Sequence, residues 1–308
     1  MKKKWVMLGS VVGISSVVMA ATGFSALAST SGYEAYKSAL KQTKAVQNVT
    51  VQAGASLQDN GLELVRASGN VRIAADNQAA SGTAEISANG ASQSVSFFKQ
   101  ADQTVVKPGA EETYYVKQWD KAKQGMNSAH KDDPEVSAQV ETVIDALLGN
   151  LKDYVAVEDN ADGTKQISLQ LDNTQLPAVV NAIAPIAIKH ATRERPMKQQ
   201  GSGAEELPFQ KNWIQAAAPE LTQDIKIENV HLKATVNAAN YIEHQEAEVT
   251  VSGKDDSGEA HQLTLHVAAD LSEFNSTTPE TIDLTGKNVQ EIKKERRGLR
   301  HTAEAGAE

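Results

Sequence analysis

The sequence contains no cysteine, and that single absence removes disulfides, thiolate metal sites, a cysteine nucleophile and a lipid-modified N-terminal cysteine together. Aromatic residues are scarce, at 5% of 308 positions, so a core has to be assembled from small and β-branched side chains. There is no surplus of positive charge either: the formal net charge is −9. An acidic chain gains nothing from counterion release on a phosphate backbone, so no nucleic acid partner is expected. Also missing are the nucleophile elbow G-x-S-x-G, the phosphate loop G-x-x-x-x-G-K-[ST], the dinucleotide fingerprint G-x-G-x-x-G and the metalloprotease pattern H-E-x-x-H. Among 39 acidic residues nothing selects a catalytic pair. The chain therefore reads as non-enzymatic, with no cofactor and no metal.

What is present begins with "MKKKWVMLGSVVGISSVVMAATGFSALAST". Lys2, Lys3 and Lys4 form a basic start, Trp5 to Phe24 is uncharged, and Ala26 and Ala28 flank Leu27 ahead of Ser29. This is the layout of a signal peptide over residues 1–28. Left uncleaved, a run of roughly 20 apolar residues would serve as a membrane anchor. Either way the expected location is extracytoplasmic, secreted or tethered at the outer face of the cytoplasmic membrane.

Residues 31–46 place Tyr33, Tyr36 and Leu40 at helical spacing, which predicts an amphipathic helix. From Asn48 the period becomes two: Val49, Val51, Ala53, Ala55 and Leu57 share one face, and Asp59-Asn60-Gly61 is a hairpin turn. Strands are expected over 62–76, 80–89, 92–100, 103–107 and 112–118. A helix follows Asp133-Pro134, with Val136, Val140, Val143, Ile144, Leu147 and Leu148 as its apolar stripe. Next comes a hairpin turning at Asp162-Gly163. A second apolar helix, capped by Asp172 or Asn173, carries Leu176, Val179, Val180, Ile183 and Ile186, and Pro185 is expected to kink or end it. Residues 192–211 read as an exposed loop. The parity of "IKIENVHLKATV" switches between Ile227 and Val230, which predicts a bulge. Val249, Val251, Leu263, Leu265 and Val267 then alternate with polar residues in a closing hairpin, and a last strand is expected near "TIDL" (281–284). From Glu291 to 308 the chain is charged and aperiodic, which predicts a disordered tail.

The order of elements is α+β: about ten or eleven antiparallel strands with helices between two meanders. The acidic run Glu158-Asp159-Asn160-Asp162-Gly163 fails as a calcium loop, because Leu169 stands where a bidentate glutamate is needed. "GKDDSGE" (253–259) reads as a turn. The seven histidines read as solvated strand residues; His261 and His266, five apart, fall on opposite faces.

Three stretches, "SGYEAYKSALKQTKAVQNVTVQ", "EETYYVKQWDKAK" with Tyr114, Tyr115 and Trp119, and the closing meander that ends near Pro279, resemble the LolA/LppX-type bacterial lipoprotein-carrier superfamily. That resemblance implies one domain over 29–290: a strongly curved antiparallel sheet, an unclosed barrel, with helices covering its concave side. It implies a monomeric cell-envelope protein that binds a lipid or lipoprotein acyl chain between sheet and helices, with a membrane-protein partner as a further expectation. The alternative is a cell-surface sensor or interaction module with a helix-filled core and no ligand. The expected lining is Val49, Val51 and Leu57 from the first strand, and Val249, Val251, Leu263 and Leu265 from the closing hairpin. Leu147, Leu148, Val179, Val180 and Ile183 would face them from the helices.

Overall fold

The computed structural model describes residues 31–88, 90–100, 102–118, 151–192 and 218–292. The chain opens with helix α1 (Ser31–Lys44), which leads into six strands: β1 (Asn48–Asp59), β2 (Leu62–Ala74), β3 (Ala79–Ala88), β4 (Ala91–Lys99), β5 (Gln103–Pro108) and β6 (Thr113–Gln118). A 3-10 turn (Leu151–Tyr154) precedes β7 (Val155–Asp159) and β8 (Lys165–Asp172). Helix α2 (Ala178–Thr192) comes before β9 (Gln223–Val236), β10 (Ile242–Lys254), β11 (Ala260–Ser272) and β12 (Asn288–Glu291).

Among the described residues all twelve strands belong to one open sheet in the order β12-β6-β5-β4-β3-β2-β1-β11-β10-β9-β8-β7. Every pairing is antiparallel except β12 on β6. The sheet is built as two meanders joined at a seam, where β1 pairs with β11 from Thr50↔Ser272 to Asp59↔Leu263. Period-two alternation carries one apolar face across this seam. Val51 lies opposite Leu271 and Val71, Leu57 opposite Leu265 and Val65, and Val249 opposite Leu265 and Val230.

Local chemistry accounts for several boundaries. Asn60 and Gly61 both have positive φ (49° and 82°), the geometry of a two-residue type I′ hairpin, as Asp-Asn-Gly predicts. Gly163 (φ 82°) turns the β7–β8 hairpin. The bulge in β9 is where the parity switch placed it: Asn229 pairs with Thr250 and Ile227 with Val251, so Glu228 is left over. Gly32 lets α1 approach β7, since a Cβ there would lie 2.3 Å from the Val155 carbonyl oxygen. Gly82 does the same between strands: its Cβ would lie 2.3 Å from the Asn70 carbonyl oxygen.

Several expectations are corrected. The sheet has twelve strands rather than ten or eleven, because "VQE" after Asn288 finds an unpaired edge on β6. Residues 281–284 are not a strand, and the supposed tail contributes Glu291 to β12. Among the described residues the fold is mostly sheet, not an α+β layer with helices across it. Helix α1 packs on β7–β10, and α2 packs on β9. Asp172 does not cap α2; its carboxylate accepts from the Thr174 and Gln175 amides in a tight turn, and the helix starts after Pro177. Pro185 does not end α2, which runs on to Thr192. Thr192, assigned to an exposed loop, is buried, and its hydroxyl accepts from the Leu221 amide at 3.1 Å. The helix expected after Pro134, Trp119 and most of the loop 192–211 lie outside the described residues.

The core sits in patches along the apolar face. One gathers Tyr36 and Ala39 of α1 with Ile167, Ala234, Val236 and Ile242. Thr43 fastens that helix down: its hydroxyl donates to the Ala39 carbonyl (2.8 Å) and accepts from the buried Ile242 amide (2.9 Å). Another patch joins Leu57, Val65, Leu221, Val251 and Leu263, with Ile188 of α2 packed against it. A third holds Val49, Val51, Ile73 and Leu271.

Candidate functional site

Between those patches the apolar face stays partly open. Leu265, mid-strand in β11, is 38% exposed. Its neighbours on the same face, Ala55, Ala247, Val249, Val230 and Leu232, are half-buried. A leucine flanked by Leu57 and Val249 in the middle of a sheet normally closes over; the described helices pack instead on β7–β10 and β9. The result is an apolar strip flanked by packed cores.

The expected lining residues divide sharply. Val49, Val51, Leu57, Val251 and Leu263 are on the expected face but buried in the core patches. Val249 and Leu265 border the open strip. On α2, Val180 is half-buried, whereas Val179 and Ile183 are 36% and 54% exposed and, with Ile186 at 61%, form a stripe turned away from the sheet. Leu147 and Leu148 lie outside the described residues.

The opposite face is polar. It carries an open hollow of about 530 Å³ bordered by Gln52, Ser68, Asn70, Thr83, Glu85 and Asp270. Among the described residues no positive group and no aromatic side chain borders it. Beside it runs a charge ladder across β9–β11. Glu246 meets Lys233 at 3.2 Å and His244 and His266 at 3.8 Å each, while His244 also contacts Asp270 at 2.7 Å. Burial alone would raise the Glu246 carboxyl, but Lys233 and the two imidazoles outweigh it and hold it below the usual range. His231 and His244, on successive strands, do not pair: His231 lies opposite Glu248 and His244 opposite Thr235.

A third feature sits at the β10–β11 tip. His261 is not solvated; its side chain is 9% exposed, and Nδ1 lies 2.7 Å from Asp59 Oδ2. Asp255 and Glu259 stand in front of it. Sequence reasoning missed this cluster because Asp59 is 202 positions away, and only the β1–β11 seam brings it to the hairpin tip. The signal that was legible is the spacing D-x-x-x-E-x-H over 255–261.

No family model matches the chain, and no curated protein is similar to it. Two solved structures are similar in outline. One is the S-type phycobiliprotein lyase CPES from Guillardia theta, 4% identical, covering 79% of this chain and 98% of that one with a TM-score of 0.20. The other is MucB in complex with MucA(peri), 11% identical, covering 82% of this chain and 100% of that one with a TM-score of 0.19. Superposition at this level is a weak likeness only. Neither likeness carries a functional argument.

Proposed function

We propose that the protein is a non-enzymatic, exported cell-envelope protein that holds an acyl chain or similar apolar guest against the open strip at Leu265. The exposed leucine in the middle of an otherwise packed apolar face carries this reading. The N-terminal signal-like segment supports export, and the resemblance to lipoprotein carriers points to the same class of guest. An acyl chain of about 14 carbons would gain roughly 10 kcal/mol from burial before ordering costs. A surface of this kind is stabilised by being covered.

Leu265→Asn tests the reading. Covering the remaining 38% of the leucine contributes about 0.6–1.1 kcal/mol. An amide without partners under the guest costs about 1–3 kcal/mol more. Affinity for a fluorescent acyl probe should therefore fall at least tenfold, with the circular dichroism spectrum unchanged. Native mass spectrometry of the purified full chain should show retained lipid. A clean polypeptide mass with no probe binding, or equal binding by the variant, refutes the proposal.

The stripe Val179–Ile183–Ile186 favours a second reading, an interaction module that docks a protein partner on α2. Crosslinking from position 183 in cells distinguishes it: a specific membrane-protein adduct supports docking, and none ends it.

A further inference from the structure

We propose that His261, Asp255 and Glu259 form a divalent-cation site of zinc type at the β10–β11 tip, with Asp59 as the carboxylate that orients the imidazole. The argument starts from hydrogen bonding. A carboxylate only accepts, so the 2.7 Å contact with Asp59 Oδ2 puts the proton on Nδ1 of His261. In the neutral ring, Nε2 then carries a lone pair. That atom is buried and has no hydrogen-bond partner. What it faces is Asp255 Oδ2 at 3.8 Å. Two acceptors pointed at one another across that gap repel unless something positive lies between them. A proton on Nε2 would relieve that repulsion, but at 3.8 Å the buried N–H would still have no hydrogen-bond acceptor. A metal ion bridges the gap: with bonds of about 2.0–2.2 Å, tetrahedral ligand atoms stand roughly 3.3–3.6 Å apart.

The rest of the corner fits. One ligand atom from each of the three side chains lies within 4.8 Å of the others, so small carboxylate rotations complete the set. Asp255 is held in place: its Oδ1 accepts from the Glu259 amide and the Ser257 hydroxyl, both at 2.8 Å, and its Oδ2, 3.1 Å from the same hydroxyl, lies toward the imidazole. Glu259 is exposed at the turn and free of packing constraints. Asp59, itself mostly buried, completes the carboxylate–histidine–metal relay that fixes tautomer and ring orientation. Three protein ligands leave a fourth position for solvent. The ion would pin the β10–β11 tip to the end of β1, on the same face as the core but beyond its last leucine.

The test uses the full chain stripped with chelator and then titrated with zinc chloride at pH 7.5 by calorimetry and thermal melting. One equivalent should bind and raise the melting midpoint. Glu259→Gln, at an exposed position that leaves folding intact, should weaken zinc binding at least tenfold. Asp255→Asn and His261→Gln should do the same or more, and Asp59→Asn should weaken it about 10–100-fold. His266→Gln, on the opposite face, should change nothing. The proposal is overturned if the stripped protein binds no zinc, if Glu259→Gln and His261→Gln bind it as the native chain does, or if the tip responds to pH alone with no effect of metal.

Discussion

Replacing Gly82 by alanine, with Gly54→Ala as its counterpart, gives a sharp test of how closely β2 and β3 approach. Both glycines lie inside strands of the same sheet, so propensity alone treats them alike. A Cβ at Gly54 would have only the Ala67 carbonyl oxygen nearby, at 3.8 Å, an ordinary contact. Alanine there should stabilise by about 0.4–1 kcal/mol, through the loss of unfolded-chain freedom. A Cβ at Gly82 would lie 2.3 Å from the Asn70 carbonyl oxygen and 2.9 Å from the Phe97 ring. The ring can swing aside, but the carbonyl belongs to the ladder that pairs β2 with β3 and cannot. Overpacking of this kind costs about 1–3 kcal/mol. The two variants should therefore differ by about 1.4–4 kcal/mol. At roughly 2–4 °C per kcal/mol for a domain of this size, Gly82→Ala should melt several degrees below Gly54→Ala. Far-UV circular dichroism melts and urea titrations read the gap directly. If Gly82→Ala is as stable as Gly54→Ala, the backbones are not as close as described, and the geometry of the apolar face built on that contact fails with it.

Two further outcomes follow from α1. Thr43→Val keeps the shape but removes the acceptor for the buried Ile242 amide, so it should cost about 1–3 kcal/mol in urea unfolding, whereas Thr43→Ser should cost much less. Burial pushes the Tyr36 hydroxyl up to about 12. A tyrosine raised in this way ionises first in the unfolded chain, so its contribution is intact below pH 10 and is lost as pH rises toward 12. The loss amounts to about 3 kcal/mol for two pH units. Tyr36→Phe should flatten the alkaline limb of the stability profile; an unchanged limb would show that Tyr36 is not what sets it.

Much of the sheet was legible because period-two alternation is local information. Val49 to Leu57, the Asn60-Gly61 turn, the bulge at Glu228 and the closing hairpin were all readable without tertiary knowledge. The seam between β1 and β11 was not, since nothing in either strand names its partner. The α2 start was misread because Asp172 satisfies a turn with the same chemistry that caps a helix. The orientation of α2 was hidden for a different reason. It is apolar nearly all round, so Val179 and Ile183 carried no mark of which side meets the sheet. Leu265 and His261 failed in opposite directions: one looked like core and stayed open, the other looked solvated and was buried.

The seam also governs how the chain can reach this state. Most pairings within each wing are short hairpins, the exceptions being β8 with β9 across α2 and β12 with β6, yet the ladder between the wings must close a stretch of about 200 residues, from Asp59 to Leu263. Relative to a ten-residue loop, that closure costs about 2.7 kcal/mol more in chain entropy before any of its contacts form. Asn275 reinforces the junction, donating its amide to the Asn48 carbonyl (2.6 Å) and accepting from the Gln47 amide (3.0 Å). The two wings are thus built to mature separately and zip late. Until they do, β1 and β11 each present a long naked edge, and nascent copies of the chain are at greatest risk of pairing with one another rather than with themselves.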